Sequence, residues 1–192
     1  MKTFELKGEI RDDFGKKAAR AYRSESLIPC VAYGGHDEGN LNFVVKISDV
    51  RNLVYTPEVF LVDLDLGKTK FQAIVKDIQF HPVKDTILHI DFLHVYEKTA
   101  VVIEIPVRLE GLAEGVRAGG KLSLDARKLK VKALPANLPE MLVVNVEKLE
   151  LGKSIQVGDL KFDDLEILNS KNAVVCRVQL TRAARGAAAK AE

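Results

Sequence analysis

Glu58–Phe80, EVFLVDLDLGKTKFQAIVKDIQF, holds two runs of alternating apolar and polar residues separated by Gly67-Lys68. Period two belongs to strands, and a glycine between two such runs marks a reversal. The stretch therefore predicts a β-hairpin of Glu58–Leu66 with Thr69–Phe80. Downstream, His81-Pro82 breaks the pattern and Thr86–Val95 resumes it as a further strand. Upstream, Pro57 ends a short helix that Ser48 would cap and that runs to about Tyr55, with Val50, Leu53 and Val54 as its apolar side. Leu41–Ile47, Ile28–Gly35 and Phe4–Arg11 are the remaining strand candidates. Gly8 marks a bulge in the last of these, and Gly34-Gly35 a turn. Many strands, short helices and regular turns predict a mainly β fold, with a closed or nearly closed barrel over residues 1–95.

From Thr99 the character changes. All four histidines lie before residue 95, and the strand candidates lengthen: Ala100–Leu109, Leu129–Leu134, Met141–Val146 and Ala173–Leu180. Residues 96–180 are expected to form a second β-rich domain, with Gly111–Gly120 and Pro135–Pro139 as loops. The alanine-rich end, residues 181–192 with Arg182, Arg185 and Lys190, has little to bury and is expected to be a disordered basic tail.

A chain of 192 residues that is 47% hydrophobic can bury a core of this kind. Its net charge of only +2 means that any nucleic-acid site is a local patch. No run has the length of a membrane span, and MKTFELKGEIRDD lacks the apolar centre of a secretory signal. Cys30 and Cys176 are far apart and outside any CxxC spacing, which argues against a zinc knuckle or a disulfide framework and for a reducing cytoplasm.

The densest basic cluster is in Arg11–Gly35, where Lys16–Arg23 holds four cations and no acid. On a helix, Lys16, Arg20 and Arg23 fall at i, i+4 and i+7 on one face, with Ala19 and Tyr22 on another. Such a stripe fits phosphates, although a merely solvated helix can carry the same charges. In the last strand before residue 95, Leu88, Ile90 and Phe92 take one face and His89 and Asp91 the other. Gln79 can join them from the preceding strand, where Ile74, Ile78 and Phe80 make the alternate face apolar. An amide, an imidazole and a carboxylate can bond base edges and ribose hydroxyls, and they also resemble an acid/base set. No nucleophile motif, HExxH, GxSxG or phosphate-cradling GxxxxGK[ST] accompanies them. His89 and His94, five apart on a strand, point to opposite faces and would not share a metal. Neither catalytic nor metal-binding residues are therefore assigned, and no cofactor or small-molecule substrate is expected.

Several ordered motifs resemble a known family. Arg11 with Gly15-Lys16, Arg20-Ala-Tyr-Arg23, Ile28-Pro29-Cys-Val-Ala-Tyr33-Gly34-Gly35, Asp77-Ile-Gln79-Phe-His-Pro82 and Leu88-His89-Ile-Asp91-Phe92 resemble bacterial large-subunit ribosomal protein L-twenty-five. Gly111–Gly120, Leu138-Pro139 and Leu151–Leu160 resemble the extension of its longer CTC, or general stress protein, form. The likeness spans about residues 3 to 180. It implies a six-stranded barrel that binds 5S rRNA at its loop E region in the central protuberance, followed by a β-rich domain near other rRNA and ribosomal proteins. It also implies a cytoplasmic, ribosome-associated chain, monomeric when free. Carried over residue by residue, the RNA contacts are Arg11, Lys16, Arg20, Arg23, Tyr33, Gln79, His89 and Asp91. Ala21 stands where the family usually has a second basic residue, and Cys30 where it usually has alanine. Readings of another kind are a barrel of the anticodon-binding type, a protein adaptor using sheet edges, and a small enzyme built on His89 and Asp91.

Overall fold

The computed structural model describes residues 2–35, 39–67, 69–162 and 164–181. The chain divides into two compact units, one reaching Val101 and taking in Leu134–Ala136, the other made of Val102–Ala133 and the residues from Asn137 on.

The first unit runs β1 (Lys2–Lys7), β2 (Glu9–Ile10), α1 (Lys16–Ser24), β3 (Leu27–Tyr33), β4 (Leu41–Lys46), α2 (Ile47–Val54), β5 (Phe60–Asp65), β6 (Lys70–Phe80) and β7 (Ile87–His94). Its single sheet has the order β1-β5-β6-β7-β3-β4-β2. The two edges are successive pieces of one N-terminal stretch, interrupted only at Gly8, so the sheet curls back on itself as a barrel of six strands. β1 runs parallel to β5, with Leu6 beside Leu64, and β2 then pairs antiparallel with β4. Where the stretch changes partners, the Gly8 N–H donates to the Asp65 carbonyl at 3.0 Å and the Arg11 N–H to that of Asn42 at 3.1 Å. A Cβ on Gly8 would lie 2.9 Å from Leu66 Cδ2 and 3.0 Å from Phe43 Cδ2, so the crossing requires a residue without a side chain.

Inside are Leu6, Ile28, Cys30, Ala32, Phe43, Val45, Val62, Leu64, Ile90 and Phe92, joined by Val50 and Leu53 of α2. Pro29 lies within β3, whose ladder to β7 starts one residue later at Cys30, so the missing N–H falls outside that pairing. Two local expectations are corrected. α2 begins at Ile47, whose N–H donates to the Ser26 carbonyl at 3.1 Å, and the Ser48 hydroxyl bonds Asp49 at 2.7 Å rather than capping. In β6 the register to β7 shifts between Val75 and Asp77. Ahead of that bulge Phe71 and Ala73 point into the core and beyond it Ile78 does, so Ile74 does not share the inward face of Ile78.

The second unit contains β8 (Val101–Glu110), α3 (Glu114–Arg117), β9 (Lys121–Leu124), β10 (Lys128–Ala133), β11 (Leu142–Asn145), β12 (Ser154–Gln156), β13 (Glu166–Ile167) and β14 (Val174–Gln179). They form two sheets, β11-β8-β10-β13 and β12-β14-β9. All four expected strands are present, and strict alternation in β10 buries Leu129, Val131 and Ala133. The 111–120 segment is more ordered than a loop. Gly115, in α3, comes so close to Glu150 and Leu151 that an added Cβ would lie 2.6 Å from the Leu151 nitrogen. Thr181 donates its hydroxyl to the Gly119 carbonyl at 2.7 Å. The rest of the expected tail, and Lys68 of the hairpin turn, lie outside the described residues.

Candidate nucleic-acid interface

Because Cys30, Ala32, Ile90 and Phe92 face the core, their neighbours in sequence must face out, and pairing brings those neighbours together across three strands. On β6 and β7, Gln79 lies opposite His89 and Asp77 opposite Asp91. On the other side of β7, β3 runs parallel with Val31 beside Asp91 and Tyr33 beside Leu93. The outer face of β6-β7-β3 therefore displays Gln79, Asp77, His89, Asp91 and Tyr33 as one polar surface.

Its centre is preorganised. His89 Nδ1 is 2.6 Å from Asp91 Oδ1, and the two side chains keep only 22% and 26% of their exposure. A carboxylate can only accept, so Nδ1 carries the proton that bonds Asp91, and Nε2 is the ring nitrogen left for a partner. Burial, then Asp91, then Asp77 push the Tyr33 phenol above its ordinary value of 10.0, which places both acids within electrostatic reach of the tyrosine.

The cations arrive on α1. This helix buries no residue completely; Ala18, Ala19 and Tyr22 form its half-buried side, while Lys16, Arg20 and Arg23 are exposed, as the spacing predicts. The end of the stripe is tied to the polar face, since Arg23 Nε donates to the carbonyl of Leu88, the residue before His89, at 3.1 Å. Arg20 and Lys16 continue along the helix, up to about 10 Å further along its axis, at 1.5 Å per residue. Arg11 lies outside the helix and is half-buried; its guanidinium carbon is 5.6 Å from the Phe14 ring centroid. Its backbone N–H donates to the Asn42 carbonyl of β4 at 3.1 Å.

Of the eight residues singled out from sequence, Arg23, Tyr33, Gln79, His89 and Asp91 meet on or beside one face. Arg11 is held beside Asn42 of β4, and Lys16 and Arg20 lie further along α1. Asp77, not among those eight, shares strand parity with Gln79 and is readable from the same alternation. The Arg23 tie to Leu88 carries no sequence signal, being a contact between residues 65 apart.

A family profile described as the ribosomal L25p family matches residues 6–92, and one for the C-terminal domain of ribosomal protein TL5 matches residues 100–182. Relatives named large ribosomal subunit protein bL25 extend the match to the full chain. One from Porphyromonas gingivalis is 60% identical over 191 residues, covering 99% of each chain. One from Azobacteroides pseudotrichonymphae is 60% identical over 185 residues, covering 96% of this chain and 97% of its own. Another, from Phocaeicola vulgatus, is 56% identical over 196 residues, covering 100% of this chain and 99% of its own. The chain belongs to the ribosomal L25p family. As an L25p protein it is a ribosomal structural component and not an enzyme.

Proposed function

We propose that this L25p protein is a component of the large ribosomal subunit, cytoplasmic and ribosome-associated, that binds 5S rRNA at loop E in the central protuberance through its first unit. The reading rests on one observation: the cationic stripe of α1 is fastened at Arg23 to the strand that carries His89 and Asp91. Lys16, Arg20 and Arg23 neutralise backbone phosphates, which sets position and affinity without reading sequence. Gln79, His89, Asp91 and Tyr33 bond the wide, shallow groove where a non-canonical RNA segment exposes base edges and hydroxyls. An acid repels phosphate, so Asp91 serves by accepting from a base amino group and by orienting His89. Residues 96–180 form the second domain, which docks on neighbouring rRNA or protein of the subunit.

A gel shift with 5S rRNA against transfer RNA at two salt concentrations tests this division of labour. Arg20→Ala weakens binding to both RNAs by about 1–3 kcal/mol and flattens the salt dependence. Asp91→Ala mainly erases the preference for 5S rRNA. Equal losses on both RNAs from both variants would refute the assignment, and a preference for transfer RNA would favour the anticodon-type barrel.

A further inference from the structure

Phe14 has no structural task that its surroundings reveal. It is 63% exposed, in the connection between β2 and α1, and it joins no core cluster. The chain turns at Gly15, whose φ is 94°, with no atom within 4 Å of the place a Cβ would take, so the residue after Phe14 stands in open space. A ring held in water this way has apolar surface that only a partner can cover. The Arg11 guanidinium lies over the ring, 5.6 Å from its centroid. Arg11 is itself held, by its backbone N–H on Asn42 and by Nη1 reaching the Asp13 carbonyl at 3.5 Å, and its Nε is shielded from solvent without a hydrogen-bond partner among the described residues. From Arg11 to Arg23 there are five cations against two carboxylates, Asp12 and Asp13.

An exposed aromatic ring with an arginine over it, in a stretch of excess positive charge, matches the chemistry by which proteins hold unstacked bases. Rings and guanidinium planes stack on any nucleobase, and nearby cations take the adjoining phosphates. We propose that Phe14 is a stacking contact for an unpaired or splayed nucleobase of the bound RNA, with Arg11 steadying the ring and Lys16 and Lys17 on the flanking phosphates. The proposal rests on the RNA-binding reading above and adds a contact outside the β6-β7-β3 face, one that sets affinity through a base rather than through charge.

Full-length protein is titrated with 5S rRNA and with transfer RNA at two salt concentrations, comparing wild type with Phe14→Ala, Phe14→Leu and Phe14→Trp. Stacking predicts that Ala and Leu each lose about tenfold in affinity for 5S rRNA, that Trp retains it, and that the salt slope is unchanged in all three. Tryptophan fluorescence of the Phe14→Trp variant is quenched on binding. If Leu matches wild type, the ring acts as apolar packing and the proposal fails. If Phe14→Ala binds free 5S rRNA normally but enters assembled subunits poorly, Phe14 contacts a protein instead. Absence of a 5S preference in the wild type would overturn the parent reading and this one together, whereas a preserved preference with an unaffected Phe14→Ala would overturn only this one.

Discussion

Gly8→Ala tests how the barrel closes. Gly8 lies outside the left-handed region, so alanine meets no backbone strain there and the whole effect is space. The new methyl would lie 2.9 Å from Leu66 Cδ2, 3.0 Å from Phe43 Cδ2 and 3.1 Å from the Val44 carbonyl oxygen. Leu66 and Phe43 belong to the buried core and cannot swing into solvent, and the carbonyl is part of the β4 backbone with which β2 pairs. Overpacking of this kind costs about 1–3 kcal/mol. Replacing glycine also removes about 0.4–1 kcal/mol worth of freedom from the unfolded chain, which acts in the opposite direction. The net expectation is a loss of about 1–2 kcal/mol, or about 5–10 °C in the melting temperature of a unit of this size. Gly39→Ala is the control, because nothing lies within 4 Å of its added Cβ. Thermal melts followed by circular dichroism, with hydrogen exchange read at the Gly8 amide, measure both variants. A Gly8→Ala protein as stable as the Gly39→Ala control, with its Gly8 amide equally protected, would show that the strand does not pass through the packed space described.

Three further outcomes follow from groups around the same face. In Asp91→Ala, the His89 Nδ1–H loses its acceptor altogether, so the imidazole nitrogen resonances should move; an unchanged spectrum would mean that Asp91 does not set the ring. Tyr33 should ionise above its ordinary 10.0, and Asp91→Asn should bring it down only part of the way, because burial is the larger cause; phenolate absorbance against a Tyr33→Phe reference reads the change. Burial raises both free thiols, Cys30 and Cys176, above their ordinary 9.0, so above about pH 9 the unfolded chain releases protons that the folded chain keeps. The thiol contribution is therefore intact below that pH and is lost as the pH rises beyond it. Cys30→Ala should flatten the fall in urea midpoint between pH 8 and pH 10, and an identical fall in both proteins would contradict the burial of Cys30.

The parts of the fold legible in sequence were those with a short-range signature. β5, β6, β7 and β10 declare themselves by period two, and α1 by the spacing of its cations against Ala19 and Tyr22. β12 and β13 are three and two residues long, too short for any period to show, and β9 is hidden in a glycine-rich segment. Glycines in such a cluster signal turns. Gly119, with φ of 87°, is one, but Gly115 is there because the Glu150–Leu151 backbone passes where a side chain would be. Pairing between distant strands leaves no local trace either, so the parallel ladders of β1 with β5 and β3 with β7 have no signature in the sequence. The site divides the same way. Gln79, His89 and Asp91 follow from alternation alone, whereas the bulge in β6 that shifts its inward face has no residue pattern that announces it.

Asp77 changes what the face can recognise. Two carboxylates directly opposite on neighbouring strands oppose folding unless each is otherwise satisfied, and here each is: Asp91 accepts from His89, and Asp77 accepts the Ile78 N–H at 2.9 Å. A surface meant only to attract RNA would gain from losing both, because each subtracts from the pull of α1 on phosphate. Kept in place, they make the centre of the face repel the backbone while the helix beside it attracts it. Under the proposed function, an RNA helix settles in few orientations, with a phosphate strand along α1 and its donor-bearing groove edge over Asp77 and Asp91. Ordinary paired RNA presents guanine amino groups and 2′-hydroxyls there in one regular pattern, while a segment of non-canonical pairs presents its base edges in another. Selectivity on this account comes from the penalty imposed on the wrong RNA as much as from bonds made to the right one.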